Sequence, residues 1–115
     1  MANYLRRAVF NLTGTLAKRT KILDLPTAGF DKCVVTNILI ANKSALQDQI
    51  KIELVTPDAK TITVLPNIPV DPNDAFSTTP ETKFNLGAGD QLWATGVNAG
   101  QNLDIIVSYL YADNT

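Results

Sequence analysis

The sequence predicts an all-β protein: an antiparallel β-sandwich, jelly-roll or immunoglobulin-like, with about eight short strands and an extended N-terminal arm. Short segments in which apolar and polar residues alternate are separated by Gly, Pro, Asn and Asp, a pattern typical of a sandwich. The 3.6-residue helical period is weak along the chain. With 115 residues, 45% of them hydrophobic and 18% charged, the chain is predicted to form one domain with one modest core.

The first segments are predicted to be an extended stretch and two strands. Tyr4–Thr13 is extended and ends at Gly14, and Thr20–Leu25 is a short strand closed by Pro26. Lys32–Ala41 is the most apolar strand, and we expect burial on both faces, one against the core and one against a neighbouring subunit or loop. One predicted face holds Val34, Thr36, Ile38 and Ile40, and the other holds Cys33, Val35, Leu39 and Ala41.

A hairpin is predicted in the middle of the chain. Gln49–Thr56 and Lys60–Leu65 both alternate with period two, and Pro57-Asp58-Ala59 between them is a turn signal. The stretch from Pro66 to Pro80 contains four prolines, which disfavour a long regular strand. Within it we expect at most a short edge strand at Ile68 and Val70.

The last segments are three further strands. Lys83–Leu86 is followed by the turn Gly87-Ala88-Gly89, then by Asp90–Val97, and finally by Asn102–Tyr111. One predicted face of the final strand carries Leu103, Ile105, Val107, Tyr109 and Tyr111. Aromatic residues favour both cores and interfaces; we assign Trp93 to the core and Tyr111 to an interface.

The amino-acid composition excludes most common classes of catalytic site. The chain has no histidine, which excludes Ser-His-Asp and Cys-His catalysis and histidine metal sites. Its single cysteine, Cys33, lies among valines and is expected to behave as a small hydrophobe. Asp71 and Asp74 offer oxygen ligands, but their spacing does not match a calcium loop and favours a turn. We therefore predict a protein that is not an enzyme, with no catalytic residues, cofactor or metal.

Charge is distributed unevenly. Residues 1–21 carry five basic side chains and no acid, whereas the rest carries five basic and eleven acidic side chains, giving a net charge of −1. Residues 1–20 are predicted to be a basic arm or edge strand, and residues 21–115 the sandwich. Such an arm suits an acidic protein surface; the alternative is that each charge is simply solvated. The acidic body argues against nucleic acid, and no apolar run is long enough to span a membrane.

Four stretches carry a resemblance: Lys32–Ser44, the hairpin Ile50–Leu65, Asn85–Ala94 and Leu103–Tyr111. Together they resemble small β-sandwich virion proteins of tailed bacteriophages, in which a strand ending near an Asn-x-Ser turn leads to a hairpin. A Leu-x-x-Gly-Asp-x-Leu turn then precedes the last two strands. The resemblance covers roughly residues 21 to 111.

The resemblance implies a capsid decoration, or cement, protein that binds the outer capsid surface and stabilises the head. The partner would be the major capsid protein, on which the chain would form a dimer or trimer. It implies a place on the capsid exterior after synthesis in the host bacterial cytoplasm. Two alternatives remain open, a tail, tail-tip or fibre accessory protein and a carbohydrate-binding module. The candidate partner-binding residues are Tyr4, Arg6, Arg7, Phe10, Lys18, Arg19 and Tyr111.

Overall fold

The computed structural model describes residues 3–13, 19–78, 83–96 and 102–113, which form nine strands. These strands are β1 (Asn3–Thr13), β2 (Arg19–Asp24), β3 (Phe30–Asn42), β4 (Asp48–Val55), β5 (Thr61–Val70), β6 (Asp74–Ser77), β7 (Phe84–Leu86), β8 (Gln91–Gly96) and β9 (Asn102–Asp113). In this part of the chain no helix is long and apolar enough to cross a membrane.

The strands form two antiparallel sheets. One has the order β1-β9-β3-β6, with β7 also paired to β3, and the other has the order β2-β8-β4-β5. The pairing is nested, because β1 meets β9, β2 meets β8, β3 meets β6 and β7, and β4 meets β5. A ribbon folded in this way is a jelly roll. The predicted antiparallel sandwich is confirmed, and the topology is that of the jelly-roll alternative.

The core lies between the two sheets and is built mainly of isoleucine, leucine and valine. Alternation places one side chain in two on the inner face of each strand. Burial of each such side chain contributes roughly 1.5–3 kcal/mol. The fully buried large side chains include Ile22, Val35, Ile38, Ile40, Ile50, Ile52, Leu92, Leu103, Ile105 and Val107.

Strand β1 is the edge of the five-stranded sheet. It pairs with β9 from Asn3 to Thr13 without a register shift. Ala8 and Phe10 are half-buried and pack against the core, so the strand contributes to the sandwich. The next described residues begin at Arg19, the first residue of β2.

Strand β3 carries a bulge that the sequence did not predict. Its register against β9 shifts between Val35 and Asn37, so that Thr36 is the additional residue. The Thr36 hydroxyl donates a hydrogen bond to the Ser108 carbonyl at 3.1 Å. The predicted division of faces is therefore wrong, since the bulge reverses the phase and one inner face holds Cys33, Val35, Ile38 and Ile40.

The prediction that the chain has no long regular strand after Leu65 is also wrong in part. Strand β5 continues through Pro66 and Pro69 to Val70, and β6 follows. Prolines are tolerated here because β5 pairs with β4 alone and lies at the edge of its sheet. Two register shifts against β4 accompany them.

The Gly87–Asp90 segment is a structural turn, as the sequence predicts. The Gly87 amide donates to Asp90 Oδ2 at 2.7 Å, and the Asp90 amide donates to the Gly87 carbonyl at 3.2 Å. The Gly89 amide donates to the Pro26 carbonyl at 2.9 Å, which ties this turn to the end of β2.

Candidate binding surfaces

The outer side of β1 exposes large apolar side chains. Leu5 is 84% exposed and Val9 is 58% exposed, although both belong to a paired strand. Leu5 lies opposite Leu110 of β9, and Val9 lies opposite Ile106. Both β9 residues are half-buried and point away from the core, since their neighbours in the strand point inward.

These pairs continue onto β3 as two apolar rows. Leu110 lies opposite Val34, and Ile106 lies opposite Leu39. We call this surface the apolar face and define it as Leu5, Val9, Val34, Leu39, Ile106 and Leu110. Between its two rows lies one polar row, formed by Arg7, Ser108 and the residues Thr36 and Asn37 at the bulge of β3.

An apolar outer face is unusual for a sandwich. The outer side of an antiparallel sheet is normally solvated and carries polar residues. Apolar residues that cluster on the surface of a small protein mark an interaction site more often than chance. The apolar face therefore has the chemistry of a protein contact, with the exposed guanidinium of Arg7 as its polar centre.

The outer face of the four-stranded sheet has the opposite character. Trp93 is half-buried at its centre, and the Arg19 guanidinium lies 4.6 Å from the ring centroid. Arg19 Nε is 3.5 Å from Glu53 Oε1. Trp93 Nε1 donates to Gln91 Oε1 at 3.0 Å. These side chains satisfy one another, and Arg19 covers the ring that a sugar would stack on.

Three of the predicted partner-binding residues make contacts within the subunit. The Arg6 guanidinium lies over the Tyr111 ring, 4.2 Å from its centroid. Tyr111 is only 8% exposed and stacks with Phe30 at a centroid distance of 5.3 Å. Phe10 packs against the core. Trp93, assigned to the core from the sequence, is more accessible than Tyr111.

The remaining predicted residues are not brought together. Arg7 is exposed on the apolar face, whereas Arg19 lies on the outer face of the other sheet. Tyr4 lies in β1 opposite Tyr111. Lys18 is outside the described residues. The basic residues therefore do not form one patch in the described part of the chain.

The apolar face is a feature that was not predicted from the sequence. Its signal was present in β1, where apolar residues occupy both the inward positions Ala8 and Phe10 and the outward positions Leu5 and Val9. A strand that is apolar on both faces predicts a covered outer side. The same signal in β3 predicts that this strand is buried on both faces.

The described residues show little sign of catalytic or metal chemistry. Cys33 is fully buried, and this burial raises the pKa of its thiol to about 11, against the opposing charge of Arg6. Asp71 Oδ1 accepts a hydrogen bond from Gln47 Nε2 at 2.7 Å, and Asp74 Oδ1 accepts one from the Ala75 amide at 2.8 Å. No group of three or more metal-ligating side chains occurs within the described ranges.

No protein-family model matches the sequence, and no curated protein is significantly similar to it. One solved structure with a similar fold is a chain of the disulfide-linked pili of Bacillus endospore appendages. The TM-score is 0.63 and the sequence identity 11%, and the match covers 97% of this chain and 89% of the pilus chain. A chain from the acid-stable capsid of Helicobacter pylori bacteriophage KHP30 has a TM-score of 0.53 and 13% identity, with 97% and 88% covered. A chain of the infectious bursal disease virus Gx strain has a TM-score of 0.55 and 9% identity; 96% of this chain spans 31% of it. Likeness at these identities shows the fold.

Proposed function

We propose that this protein is a non-enzymatic structural protein of a bacteriophage virion, a decoration protein that binds the outer capsid surface and stabilises the head. Its partner is the major capsid protein, and it acts there as a homo-oligomer. The observation that carries the proposal is the apolar face, on which the exposed Leu5 and Val9 adjoin half-buried apolar residues of β9 and β3. The similarity of its fold to a phage capsid chain supports the same role.

The apolar face is suited to adhesion on a lattice. Each apolar side chain that moves out of water contributes roughly 1.5–3 kcal/mol at most, so one small contact is weak. A shell presents the same site many times, and linked contacts become strong through avidity. Arg7 makes the contact specific in orientation, because its guanidinium in the polar row would hydrogen-bond a carboxylate or carbonyl on the partner.

A disulfide-linked fibre, the assembly formed by the pilus neighbour, fits this chain less well. Cys33 is the one cysteine of the sequence, and it is fully buried in the core. An intermolecular disulfide at Cys33 would require the sandwich to open. Attachment by a surface contact avoids that requirement.

The test is rebinding to the particle. Virions stripped of this protein are incubated with wild type, Leu5→Ser or Val9→Ser, and occupancy is counted by electron cryo-microscopy. Ile62→Ser and Leu46→Ser are matched controls, since Ile62 is 50% exposed and Leu46 67% exposed, away from the apolar face. We expect the first two variants to lose about tenfold or more in affinity and the controls to bind as wild type.

Three outcomes would contradict the proposal. Unchanged occupancy by Leu5→Ser and Val9→Ser overturns the assignment of the apolar face. Density at the tail in place of the head establishes the tail accessory alternative. Absence of this protein from purified virions overturns a virion role altogether. Deletion of residues 1–20 is a poor substitute, because it removes β1 and uncovers the core beside Ala8 and Phe10.

A further inference from the structure

The two sheets have four edges, and three of them carry features that discourage pairing with another chain. Strand β5 contains Pro66 and Pro69 and two register shifts against its neighbour. Strand β2 has six residues and a register shift between Lys21 and Leu23. The far edge of the five-stranded sheet is divided between the short strands β6 and β7. Prolines, bulges and short strands are the devices by which natural sheets block edge pairing.

Strand β1 differs from the other three edges. It has eleven residues, contains no proline and keeps a continuous register against β9. In an antiparallel edge strand, every second residue directs its backbone N–H and C=O groups away from the sheet. The inward-pointing charge of Arg6 is held against Tyr111 in its own subunit, 4.2 Å from the ring centroid. The edge is therefore a long template of regular register for another strand.

We propose that a second copy of this chain pairs with this edge, β1 against β1 in antiparallel orientation, about a twofold axis that passes beside Val9. In this register Val9 faces Val9 of the second copy, and Phe10 faces Ala8 of the second copy. The inward pair combines a large side chain with a small one. On the outer side, the row Leu39–Ile106–Val9 continues into the same row of the second copy.

Charge disfavours the alternative register in which the twofold axis lies beside Arg7. A twofold axis beside Arg7 would place the two Arg7 guanidinium groups directly opposite each other, and like charges in that position are destabilising. With the axis at Val9, Arg7 faces Asn11 of the second copy. Asn11 Nδ2 already donates to Asp104 Oδ1 at 2.7 Å, so Arg7 approaches a carboxylate, whose other oxygen lies 3.1 Å from Lys43 Nζ. Each of the two Arg7 side chains meets this environment, because a twofold contact is isologous.

Disulfide cross-linking between single-cysteine substitutions in β1 tests the register directly, because only residues that face each other can form a disulfide. Residues that face each other across an antiparallel pair have Cα atoms about 4.5–5.5 Å apart, within the range of a disulfide. At the proposed register the two Arg7 Cα atoms are about 14 Å apart and the two Leu5 Cα atoms about 28 Å apart, from the rise and spacing of antiparallel strands. We expect Val9→Cys to form a covalent dimer on mild oxidation, and Arg7→Cys and Leu5→Cys to remain monomeric.

The wild-type chain is the control, because its own Cys33 is buried. Faster cross-linking of Arg7→Cys or Leu5→Cys, or equal cross-linking of all three variants, overturns the proposal. So does the absence of any cross-link. Val9 is 58% exposed, so these outcomes do not depend on a disturbed core.

Sedimentation velocity over a range of concentrations gives an independent measurement. Wild type is expected to show a monomer–dimer equilibrium, and Val9→Lys to weaken it about tenfold or more by placing two ammonium groups together. Leu46→Lys is the matched control and should dimerise as wild type. A wild-type chain that stays monomeric at every concentration overturns the proposal. Both experiments use the free chain without capsids. A chain that does not dimerise would therefore leave the proposed capsid binding untested and intact, and a failure to bind capsids would leave the proposed dimer intact.

Discussion

Arg6 and Tyr111 form a cation–π contact that closes one end of the five-stranded sheet. The guanidinium carbon lies 4.2 Å from the centroid of the tyrosine ring. The same ring stacks with Phe30, at an interplanar angle of 28°. Three strands, β1, β9 and β3, are thus joined by one cluster of side chains. The two neighbouring arginines of β1 therefore have different roles, since Arg6 acts within the subunit and Arg7 is exposed on the apolar face.

The first prediction separates these two arginines. Arg6→Ala should lower the free energy of unfolding by about 0.5–2 kcal/mol, the worth of a cation–π contact. Arg7→Ala should stay within about 0.5 kcal/mol of wild type, because its side chain is on the surface. Urea unfolding of both variants measures the difference. Equal losses for the two variants would show that the contact with Tyr111 has no special weight.

The second prediction concerns the Cys33 thiol. Burial raises its pKa to about 11, so very little thiolate is present near neutral pH, and the sulfur is out of contact with solvent. We expect a disulfide reagent such as DTNB to react with the native protein only as fast as the sandwich opens, and to react at once in denaturant. Leu46→Cys, with a thiol at a position that is 67% exposed and away from β1, is the positive control. Prompt reaction of native Cys33 would contradict its burial.

The third prediction is a pH dependence at Asp104. The hydrogen bond from Asn11 and then that from Lys43 hold the pKa of this carboxyl below its ordinary value. A depressed folded-state pKa stabilises the fold above the unfolded pKa, and this contribution is lost as the pH falls through the folded pKa. Asp104→Asn should thus be less stable than wild type near neutral pH, with the difference vanishing in acid. Parallel pH profiles for the two proteins would count against this link.

The strands that were predicted best are those whose alternation is unambiguous. In β4 and β9 an apolar inner face is paired with a polar or mixed outer face, and the predicted assignments agree with the burial of Ile50, Ile52, Leu103 and Ile105. Local pattern is sufficient there, because burial on one face fixes the phase of the strand. The hairpin of β4 and β5 followed from the turn signal between them.

The bulge of β3 could not be predicted in the same way. Both faces of this strand are apolar. The additional residue Thr36 exchanges the two faces beyond it, but the sequence of apolar and polar residues looks the same with or without this exchange. The bulge depends on the match between β3 and β9, two strands that lie far apart in the sequence. The extension of β5 through Pro66 was missed for a related reason, since proline is compatible with a strand only when that strand is at an edge.

The apolar face was missed because it exists only after long-range pairing. Leu5 and Leu110 are separated by most of the chain, and their alignment follows from the pairing of β1 with β9. Adjacency in the sequence is a poor guide to a shared surface here, because alternation sends the side chains of Arg6 and Arg7 to opposite sides of the strand.

The last prediction tests the turn before β8 with a pair of glycine variants. Gly29 and Gly89 both have positive φ, +95° and +77°, where an L side chain is strained. A Cβ on Gly29 would meet nothing within 4 Å, whereas a Cβ on Gly89 would lie 2.8 Å from the ring carbon Cγ of Pro57. Gly29→Ala should cost about 1–2 kcal/mol from backbone strain alone. Gly89→Ala should cost about 2–4 kcal/mol, because the proline ring cannot move without shifting its own turn. Chemical unfolding of both variants gives the two values. If the two variants lose the same free energy of unfolding, the short distance between Gly89 and Pro57 is not a reason for glycine at position 89.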